Sequence, residues 1–372
     1  MTMDILISGA GMAGLATALD LSARGHRVTV VERASHFRVN GSPIDVRGDA
    51  LGILEKMGLL DRVREQRVLT TELVQFVDDD GEPVGRPRSA DIGDSPDDLE
   101  IAREDLANIL VDALPPDVEI LFRDSVRSLD DDGTGVDVAF ASGHRQRFDI
   151  VVGADGQHSR VRGLVFGPEG DFARHLGYYV ALADLPDEVR PHRMNPMYNA
   201  PGRLAGIARY KDRALAVLMF RSDPIDYDYH DLDEQRRIIV DAFAGTTGWK
   251  VPQLIEAVRV DPELYFDSSS QIHMRTWHRG RVVLVGDAAH CATSLSGRGT
   301  SLAFTGAYFL AEELDRADGD HVVAFERYET RQRPYAEFAQ KSVDAGADLI
   351  IPPTWEAIAA RNERLDGVAP AR

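Results

Sequence analysis

Hydrophobic and polar positions follow a strand, helix, strand order at the start of the chain. Residues 5–7 form a short uninterrupted apolar run, which predicts a buried strand. Small and apolar residues recur on one helical face over residues 15–22, and Gly25 is the expected C-terminal stop of that helix. Residues 28–31 predict a second strand. This order is typical of the first unit of a parallel α/β sheet.

The hydrophobic pattern predicts further elements of both kinds along the rest of the chain. Residues 82–98 are rich in Pro, Gly and Asp and are expected to form an exposed loop between domains. Alternating segments between residues 176 and 270 predict a second region that contains a sheet. The further strands predicted are 69–77, 118–122, 136–140, 148–152, 215–220 and 282–285, and the further helices are 101–114, 233–243, 300–314 and a last segment from about 334 to 365 that is interrupted at Pro352-Pro353.

Three glycines follow the first strand with the spacing Gly-x-Gly-x-x-Gly. Gly9 permits the tight turn, Gly11 lets a phosphate approach the backbone, and Gly14 lets the helix lie close to the strand. The free N–H groups and the dipole of the helix N-terminus then stabilise a pyrophosphate without a lysine. Glu32 ends the second strand, where its carboxylate can accept hydrogen bonds from a ribose diol. The sequence therefore predicts a dinucleotide-binding unit that suits FAD or NAD better than NADP.

The composition narrows the choice of partners and compartment. The 372 residues carry 42 Lys and Arg against 61 Asp and Glu, a net charge of −19 that disfavours nucleic acid and anionic membranes as partners. The single cysteine, Cys291, excludes an internal disulfide framework and fits a reducing compartment. No apolar run approaches the length of a membrane span and no leader pattern is present, so a cytoplasmic protein without stable membrane association is expected. The 11 scattered histidines predict no metal site.

Two further segments place small and acidic residues directly after predicted strands. Asp155-Gly156 follows the strand 148–152, and Gly286-Asp287 follows the strand 282–285. Asp287 is expected to present its carboxylate to a second sugar or ribityl hydroxyl. Residues 297–299 then open a helix whose N-terminal N–H groups can stabilise an anion that lies beyond the strand.

The three motifs occur in this order over nearly the whole chain, and together they resemble the class A flavoprotein aromatic hydroxylases. This group has the para-hydroxybenzoate hydroxylase fold and includes the tetracycline-modifying monooxygenases. The resemblance implies a protein that binds FAD, accepts a hydride from NAD(P)H, traps molecular oxygen at flavin C4a as a hydroperoxide and passes one oxygen atom to an aromatic or polyketide-like small molecule. It also implies an α/β fold, with a Rossmann-like FAD-binding domain, an inserted mixed or antiparallel-sheet substrate domain and a C-terminal helix.

The implied domains are discontinuous in sequence. They would interleave because the substrate domain is inserted into the FAD-binding domain. The ranges are 1–68, 101–170 and 275–333 for the FAD-binding domain, 69–100 and 171–274 for the substrate-binding domain, and 334–372 for a C-terminal helical segment.

The resemblance also implies roles for individual residues. Glu32 is expected to hold the adenosine ribose, Asp287 the ribityl chain, and Asp155 to serve both FAD and the passage of the nicotinamide. Arg103 is an expected FAD contact, because the sequence around it resembles the arginine-bearing helix start of the family, and Arg38 is expected near the flavin ring. The predicted cofactor-binding residues are Gly9, Gly11, Met12, Ala13, Gly14, Glu32, Arg33, Arg38, Arg103, Asp155, Gly286, Asp287, Gly297, Gly299 and Thr300.

The substrate region is less specific. Residues 194–221 are expected to supply an apolar wall for a flat ligand. Ser294 and Ser301 stand where the family usually has a proline and an asparagine, so the loop beside the flavin is expected to have a different shape. No catalytic acid or base is predicted, and His290 is expected to be a packed structural histidine. The predicted substrate contacts are Arg209, Tyr210 and Met219.

Two other functions fit the same residues. A flavin-dependent reductase or dehydrogenase would saturate a double bond without inserting oxygen, and it would turn over anaerobically. A non-catalytic FAD- or ligand-binding protein would bind its ligand tightly, and neither nicotinamide would reduce its flavin. A halogenase is disfavoured, because Trp249, Trp277 and Trp355 are far apart and do not form the Trp-x-Trp-x-Ile-Pro signature of that family.

Overall fold

The computed structural model contains two large β-sheets, one mostly parallel and one mostly antiparallel. It describes residues 2–37, 42–87, 95–186, 189, 194–341 and 343–366. The strands are β1 Asp4–Ser8, β2 Arg27–Glu32, β3 Ile44–Val46, β4 Arg67–Val68, β5 Val74–Val77, β6 Pro83–Gly85, β7 Leu99–Ile101, β8 Glu119–Phe122, β9 Val126–Asp131, β10 Val136–Phe140, β11 Arg145–Phe148, β12 Ile150–Gly153, β13 Ala173–Asp184, β14 Asn195–Ala200, β15 Arg203–Tyr210, β16 Arg213–Arg221, β17 Tyr265–Ile272, β18 His278–Arg279 and β19 Val282–Leu284.

Helices cover both large sheets. In chain order they are α1 Met12–Ala23, α2 Asp49–Lys56, α3 Leu60–Glu65, α4 Arg103–Ala113, α5 Arg160–Val165, α6 Leu232–Ala242, α7 Val251–Val260, α8 Asp287–His290, α9 Gly299–Arg316, α10 His321–Lys341, α11 Val343–Ile350 and α12 Trp355–Asp366. Two small three-stranded sheets, β11-β10-β9 and β3-β7-β4, complete the described part of the chain. No helix in these ranges combines the length and the apolar character needed to cross a membrane.

The parallel sheet has the strand order β18-β19-β12-β1-β2-β8, in which β18 alone runs antiparallel to its neighbour. Successive side chains of a strand point to opposite faces, and Ile5, Leu6 and Ile7 of β1 are all fully buried. Both faces of the sheet are therefore covered, which is why its strands are continuous apolar runs. The helix α1 packs against α4 and α9, and α9 packs against α10.

The strand order reverses on the two sides of β1. From β1 the chain goes to β2 and β8 on one side, and it later returns to β12 and β19 on the other. In open α/β sheets, ligands bind at the carboxyl ends of the strands at such a switch point. The three sequence motifs follow β1, β12 and β19 directly, so the fold brings all three to this edge.

The second sheet has the order β17-β13-β16-β15-β14-β5-β6, with only β14 and β5 parallel. One of its faces packs against α6 and α7 through residues such as Leu218 and Phe220. The other face carries Val180, Val217 and Met219, and we call it the inner face. The C-terminal helices α11 and α12 pack on part of it.

The inner face also approaches the parallel sheet. Tyr210 and Leu215, at the β15–β16 hairpin, contact Ala102, which lies directly ahead of α4. The chain reaches α4 between two strands of the parallel sheet, β2 and β8. The inner face is therefore the side of the second sheet that meets the predicted FAD-binding region.

The α/β fold class predicted from the sequence is confirmed, and the strands of the parallel sheet lie within the ranges predicted for the FAD-binding domain. The domain boundaries themselves stay a prediction. Three elements differ. Pro83–Gly85, inside the predicted loop 82–98, forms strand β6 at the edge of the second sheet. The strand predicted over 69–77 begins only at Val74, after a helical turn. The last helical segment does not begin at Pro334, because Pro334 lies inside α10; packing of α10 along α9 outweighs the backbone hydrogen bond that a proline removes.

Candidate functional site

The glycine turn after β1 is packed so tightly that only hydrogen atoms fit at two of its positions. Gly9 has a φ of 104°, and a Cβ there would lie 2.6 Å from the carbonyl oxygen of Ala154. A Cβ at Gly14 would lie 1.9 Å from the carbonyl oxygen of Gly9. The Gly9 N–H donates to the carbonyl oxygen of Val31 at 2.8 Å, which anchors the turn to β2.

Gly11 is different, because the space in front of it is open. A Cβ at Gly11 would meet no described atom within 4 Å, although its backbone conformation is one that any residue can adopt. Gly11 is the N-cap of α1, and no side chain caps the helix there. The first N–H groups of α1 therefore face open space, which is the arrangement that binds a phosphate.

Glu32 at the end of β2 has a fixed orientation. Its Oε2 accepts a hydrogen bond from the Ala10 N–H at 2.9 Å, and its Oε1 accepts one from the Ala34 N–H at 2.8 Å. Each oxygen retains a lone pair, so the carboxylate can still accept from a ribose diol. Arg33 beside it is exposed, and Arg38 lies outside the described residues.

Both carboxylate oxygens of Asp155 serve the helix that follows. Oδ1 accepts from the Ser159 hydroxyl, and Oδ2 accepts from the backbone N–H groups of Arg160 at 2.9 Å and Val161 at 3.0 Å. Ser159 caps α5 by accepting from the N–H of its third residue. The Asp155-Gly156 segment is therefore held in place by its own helix start. The contact of Asp155 with FAD stays a prediction.

Arg162 joins the second motif to the third. Its guanidinium is fully buried and donates to the carbonyl oxygens of Ala288 at 3.0 Å and Gln157 at 2.6 Å. It also forms an ion pair with Glu169 at 2.9 Å. The segments after β12 and β19 are thus tied together by one side chain, which fixes the edge at which a ligand would bind.

Replacement of Arg162 by methionine is expected to lower the free energy of unfolding by about 2 kcal/mol, because two carbonyl oxygens lose their donor in a buried place. Denaturant unfolding of the apoprotein measures this change. The matched variant Arg64→Met removes an exposed arginine whose 3.5 Å pair with Asp61 lies on the surface, and it should cost less than about 0.5 kcal/mol. Equal losses in the two variants would contradict the assigned role.

Asp287 and Arg103 face a common space. Asp287 is exposed to solvent. Burial by the surrounding protein raises the pKa of its carboxyl, and the positive charge of Arg103 opposes this rise. Arg103 is the first residue of α4, and its guanidinium has no hydrogen-bond or ion-pair partner among the described residues. Both side chains therefore line a deep cleft, in which a cation and a carboxyl are available to a ligand.

The helix α9 provides a second open N-terminus. No side chain caps it, and a Cβ at Gly299 would meet no described atom within 4 Å. The loop ahead of it contacts Arg47, whose guanidinium fills the space that a side chain at Gly297 would need. The Arg47 N–H donates to the Ser301 hydroxyl at 2.8 Å. Thr300 is half-buried in this first turn.

Sequence reasoning missed Arg47. It follows β3, far from the three motifs in sequence, and no local pattern distinguishes it from a surface arginine. Its Nη2 pairs with Asp45 at 2.9 Å, whereas its Nε is buried and lacks a hydrogen-bond partner within the described ranges. A buried donor without a partner beside an open helix N-terminus fits the binding of an anionic cofactor.

Two carboxyl groups lie opposite each other behind Arg47. Asp45 on β3 and Glu100 on β7 are a cross-strand pair. Glu100 accepts hydrogen bonds from the N–H and the hydroxyl of Thr71 at 2.9 Å and 2.8 Å. Burial raises the pKa of Glu100 to about 7, and the negative charge of Asp45 adds to this rise.

Glu100 is therefore expected to make stability depend on pH. The pKa of Glu100 in the folded state lies above its ordinary value of 4.5. Its contribution to stability is therefore fully present below about pH 4.5 and is lost as the pH rises through about 7. Relative to Glu100→Gln, the native protein should lose about 3 kcal/mol of unfolding free energy between about pH 4.5 and about pH 8. Denaturant unfolding across this range, with the exposed Glu55→Gln as the control, measures the difference. Parallel pH profiles for the native protein and Glu100→Gln would contradict the assignment.

The predicted substrate residues do not all lie on the same face of the second sheet. Met219 lies on the inner face but is buried among its neighbours, and Tyr210 is buried against Ala102. Arg209 alternates with Tyr210 along β15 and shares the opposite face with Ile207, and its contact with a substrate stays a prediction. Apolar side chains form much of the inner face beside β16, and Asp267 lies opposite Val180 on β17. They include Val180 and Val217, which are half-buried and cluster with Leu295 from the loop ahead of α9.

His290 has no open space around it. It is buried against the ring of Trp277, with ring centroids 4.6 Å apart. Burial lowers the pKa of His290 to about 3, so the imidazole is neutral at physiological pH. A buried neutral imidazole in this place suits packing and does not suit proton transfer. No group of three or more His, Cys, Asp or Glu side chains in the described part of the chain could hold a metal ion.

The fold and the site define a dinucleotide-binding flavoprotein. The evidence is a parallel sheet with three motifs at its switch point, two uncapped helix N-termini, an oriented carboxylate and a free guanidinium in one cleft. The family described as FAD binding domain matches residues 2–341. The chain belongs to this family and is an FAD-dependent monooxygenase, as its similarity to named members shows.

Three similar proteins cover nearly the whole chain. A flavin-dependent monooxygenase of Legionella longbeachae is 34% identical over 342 residues, with 91% of this chain and 87% of the relative covered. The crystal structure of the tetracycline destructase Tet(51) is 32% identical, with a TM-score of 0.86 and coverage of 98% of this chain and 96% of that chain. An uncharacterized protein of Mycobacterium tuberculosis is 40% identical over 343 residues, with 90% of each chain covered.

The residues of the cleft fit FAD. The open N-terminus of α1 at Gly11 suits the pyrophosphate, Glu32 suits a ribose diol, and the free donors on Arg47 and Arg103 suit an anion. When bound, FAD supplies the redox chemistry, because it takes up an electron pair and reacts with dioxygen. The protein supplies the position and the electrostatic environment.

Proposed function

We propose that this monooxygenase takes its electrons from NAD(P)H, uses molecular oxygen as co-substrate, and transfers one oxygen atom to a flat, largely apolar aromatic or polyketide-like small molecule. The similarity to tetracycline destructase Tet(51) supports a fused-ring substrate of this kind. The named relatives are monooxygenases, so they do not favour a reductase that omits oxygen insertion or a non-catalytic binding protein.

The proposed roles of the site residues follow from the cleft. Glu32 accepts hydrogen bonds from the adenosine ribose, and the N–H groups at the start of α1 hold the pyrophosphate. Asp287 and Arg103 hold the ribityl and phosphate region. The N-terminus of α9, at Gly299, directs its dipole and N–H groups toward the electron-rich edge of the reduced flavin, where they stabilise negative charge.

The observation that carries the substrate proposal is the apolar wall of the inner face. Val180 and Val217 are half-buried and share a cluster with Leu295, which lies in the loop directly ahead of the α9 N-terminus. A flat apolar ligand on this wall would lie next to the flavin edge that α9 stabilises. Val180, Val217 and Leu295 would contact the flat surface of the ligand, and the carboxylate of Asp267, opposite Val180, would accept a hydrogen bond at its edge.

Three further proposals rest on composition and topology. The net charge of −19 supports a protein that does not bind nucleic acid, and the single Cys291 supports a reducing, cytoplasmic compartment. The chain order of the two sheets supports the interleaved domain ranges given above.

The test is product analysis under isotopically labelled dioxygen. The purified holoenzyme should be yellow, should oxidise NADPH or NADH faster with a suitable fused-ring substrate, and should give a product that carries one labelled oxygen atom. Anaerobic conditions should stop product formation. Product that forms anaerobically, or without the label, would point to the reductase instead and would overturn the proposal.

A further inference from the structure

Tyr265 is an aromatic residue that lacks the partners its neighbours have. It begins β17 and lies opposite Leu182 on β13, which places it on the inner face, whereas Phe266 points to the opposite face and stacks on Tyr179 with ring centroids 5.4 Å apart. The side chain of Tyr265 is 49% exposed. Its ring stacks on no other ring and its hydroxyl has no hydrogen-bond partner within the described ranges.

The strand β17 runs past the ligand-binding edge of the parallel sheet. The side-chain amide of Gln157, after β12, donates to the carbonyl oxygen of Ser268 at 3.3 Å. The Cys291 thiol, after β19, donates to Oε1 of the same glutamine at 3.5 Å. Nε2 of His158 and Oδ1 of Asp267 lie 3.3 Å apart. Because Tyr265 is three residues from Ser268, it lies about 10 Å along the strand from this junction.

Charged groups from other segments lie near the exposed ring. Burial raises the pKa of the Tyr265 phenol, as do the charges of Asp267 and Asp287, whereas Arg103 lowers it. Tyr265, Leu182 and Val217 form one cross-strand row on the inner face, and Val217 clusters with Leu295 in the loop ahead of α9. Tyr265 therefore faces the same cleft as Arg103 and Asp287, and its open surface belongs to that cleft.

The direction of the bound dinucleotide follows from the strand order. Glu32 ends β2 and Asp287 follows β19, and these strands are separated by β1 and β12. Neighbouring strands lie about 4.8 Å apart, so the two residues mark points about 14 Å from each other along the sheet edge. With its adenosine end at Glu32 and its pyrophosphate at α1, the molecule must extend past Asp287 toward the inner face, where Tyr265 lies.

We propose that Tyr265 is a cofactor contact whose ring packs against the isoalloxazine ring of bound FAD. The proposal rests on the placement of FAD given under the proposed function. An unpartnered aromatic ring in a cleft lined by the residues for the other parts of the cofactor is a surface for a second aromatic ring. With this contact, the second sheet would form part of the flavin site as well as of the substrate site.

The test uses FAD fluorescence and affinity in the holoenzyme. A tyrosine ring in contact with flavin quenches its fluorescence by electron transfer, so Tyr265→Leu should raise the fluorescence yield of bound FAD several-fold and weaken its Kd about three- to tenfold. Tyr265→Phe retains the ring but not the easily oxidised phenol. It should therefore raise the fluorescence and leave the FAD affinity within about twofold.

The matched control is Tyr229→Leu. Tyr229 is 45% exposed, but it stacks on His158 with ring centroids 4.7 Å apart and is not on the inner face strands. This variant should leave both the fluorescence and the Kd of FAD unchanged.

Unchanged fluorescence in Tyr265→Phe, or a Tyr265→Leu variant that alters only the KM of the organic substrate, would overturn the proposal. A holoenzyme that binds FAD but inserts no oxygen would refute the proposed function and leave this test valid.

Discussion

Replacement of Gly11 by valine should leave the fold intact and weaken FAD binding about a hundredfold, which corresponds to about 2.7 kcal/mol. A side chain at this position meets no described atom within 4 Å, so the apoprotein has room for it. The same space is where the pyrophosphate must approach the N–H groups of α1, and a valine would keep it away. Titration of the apoprotein with FAD, followed by flavin fluorescence, measures the effect.

A matched variant separates this effect from a general cost of valine. Gly170 also has open space around it, and it lies in a short turn outside the cleft. Gly170→Val should bind FAD as the native protein does. Thermal unfolding of the two apoproteins should give similar midpoints. If Gly11→Val kept native FAD affinity, the pyrophosphate could not lie at the start of α1, and the whole placement of the cofactor would have to be abandoned.

Gly14→Ala, unlike Gly11→Val, is expected to reduce the stability of the apoprotein itself by a large amount. The added Cβ would lie 1.9 Å from the carbonyl oxygen of Gly9, which is backbone and cannot rotate away. Either α1 must move off β1 or the turn must open, and both disrupt the core that α1 forms with the sheet. We expect a loss of about 3 kcal/mol or more in unfolding free energy. Denaturant unfolding without FAD measures it.

Gly52→Ala is the control for this change. Gly52 is also a helix glycine, but it lies in α2 with nothing near its missing Cβ. Alanine there should stabilise the protein by about 0.5 to 1 kcal/mol, since it reduces the entropy of the unfolded chain and fits the helix. The two substitutions are chemically identical, so opposite signs would show that the close approach of α1 to the turn decides the outcome. Equal effects of the two substitutions on stability would contradict this explanation.

The cofactor must bind to a protein of strongly negative net charge. FAD is anionic and the chain carries a net charge of −19, so long-range attraction cannot bring the two together. Exposed charges beyond about 8 Å are screened at physiological ionic strength. Local donors therefore decide the affinity. The structure places the start of α1, the start of α9, Arg47 and Arg103 around one cleft for this purpose.

Two titratable groups near the cleft, His290 and Asp155, are not suited to proton transfer. His290 is buried and uncharged, and Asp155 is used by α5. Both groups hold the strand ends in place.

Local sequence patterns predicted the elements that depend on near neighbours. The glycine spacing after β1 and the pattern along β16 depend on steric rules that act within a few residues, and the structure has these elements close to the predicted bounds. The start of α10 was missed, because Pro334 is a local signal to stop a helix and packing against α9 outweighs it. The face of β15 that carries Arg209 could not be predicted, because the sequence did not give the register of that strand.

The sequence by itself determined that a dinucleotide binds at the first strand, since three glycines and an acid at fixed spacing are a local requirement of that chemistry. Only the tertiary structure decided what surrounds the rest of the cofactor. Arg47, Arg103 and Tyr265 come from separate segments, and contacts between sheets and loops bring these segments toward the motifs: Arg47 lies against Gly297, and Gln157 joins the segment after β12 to β17. Contacts between residues far apart in sequence depend on the packing of whole elements, and no short pattern encodes them.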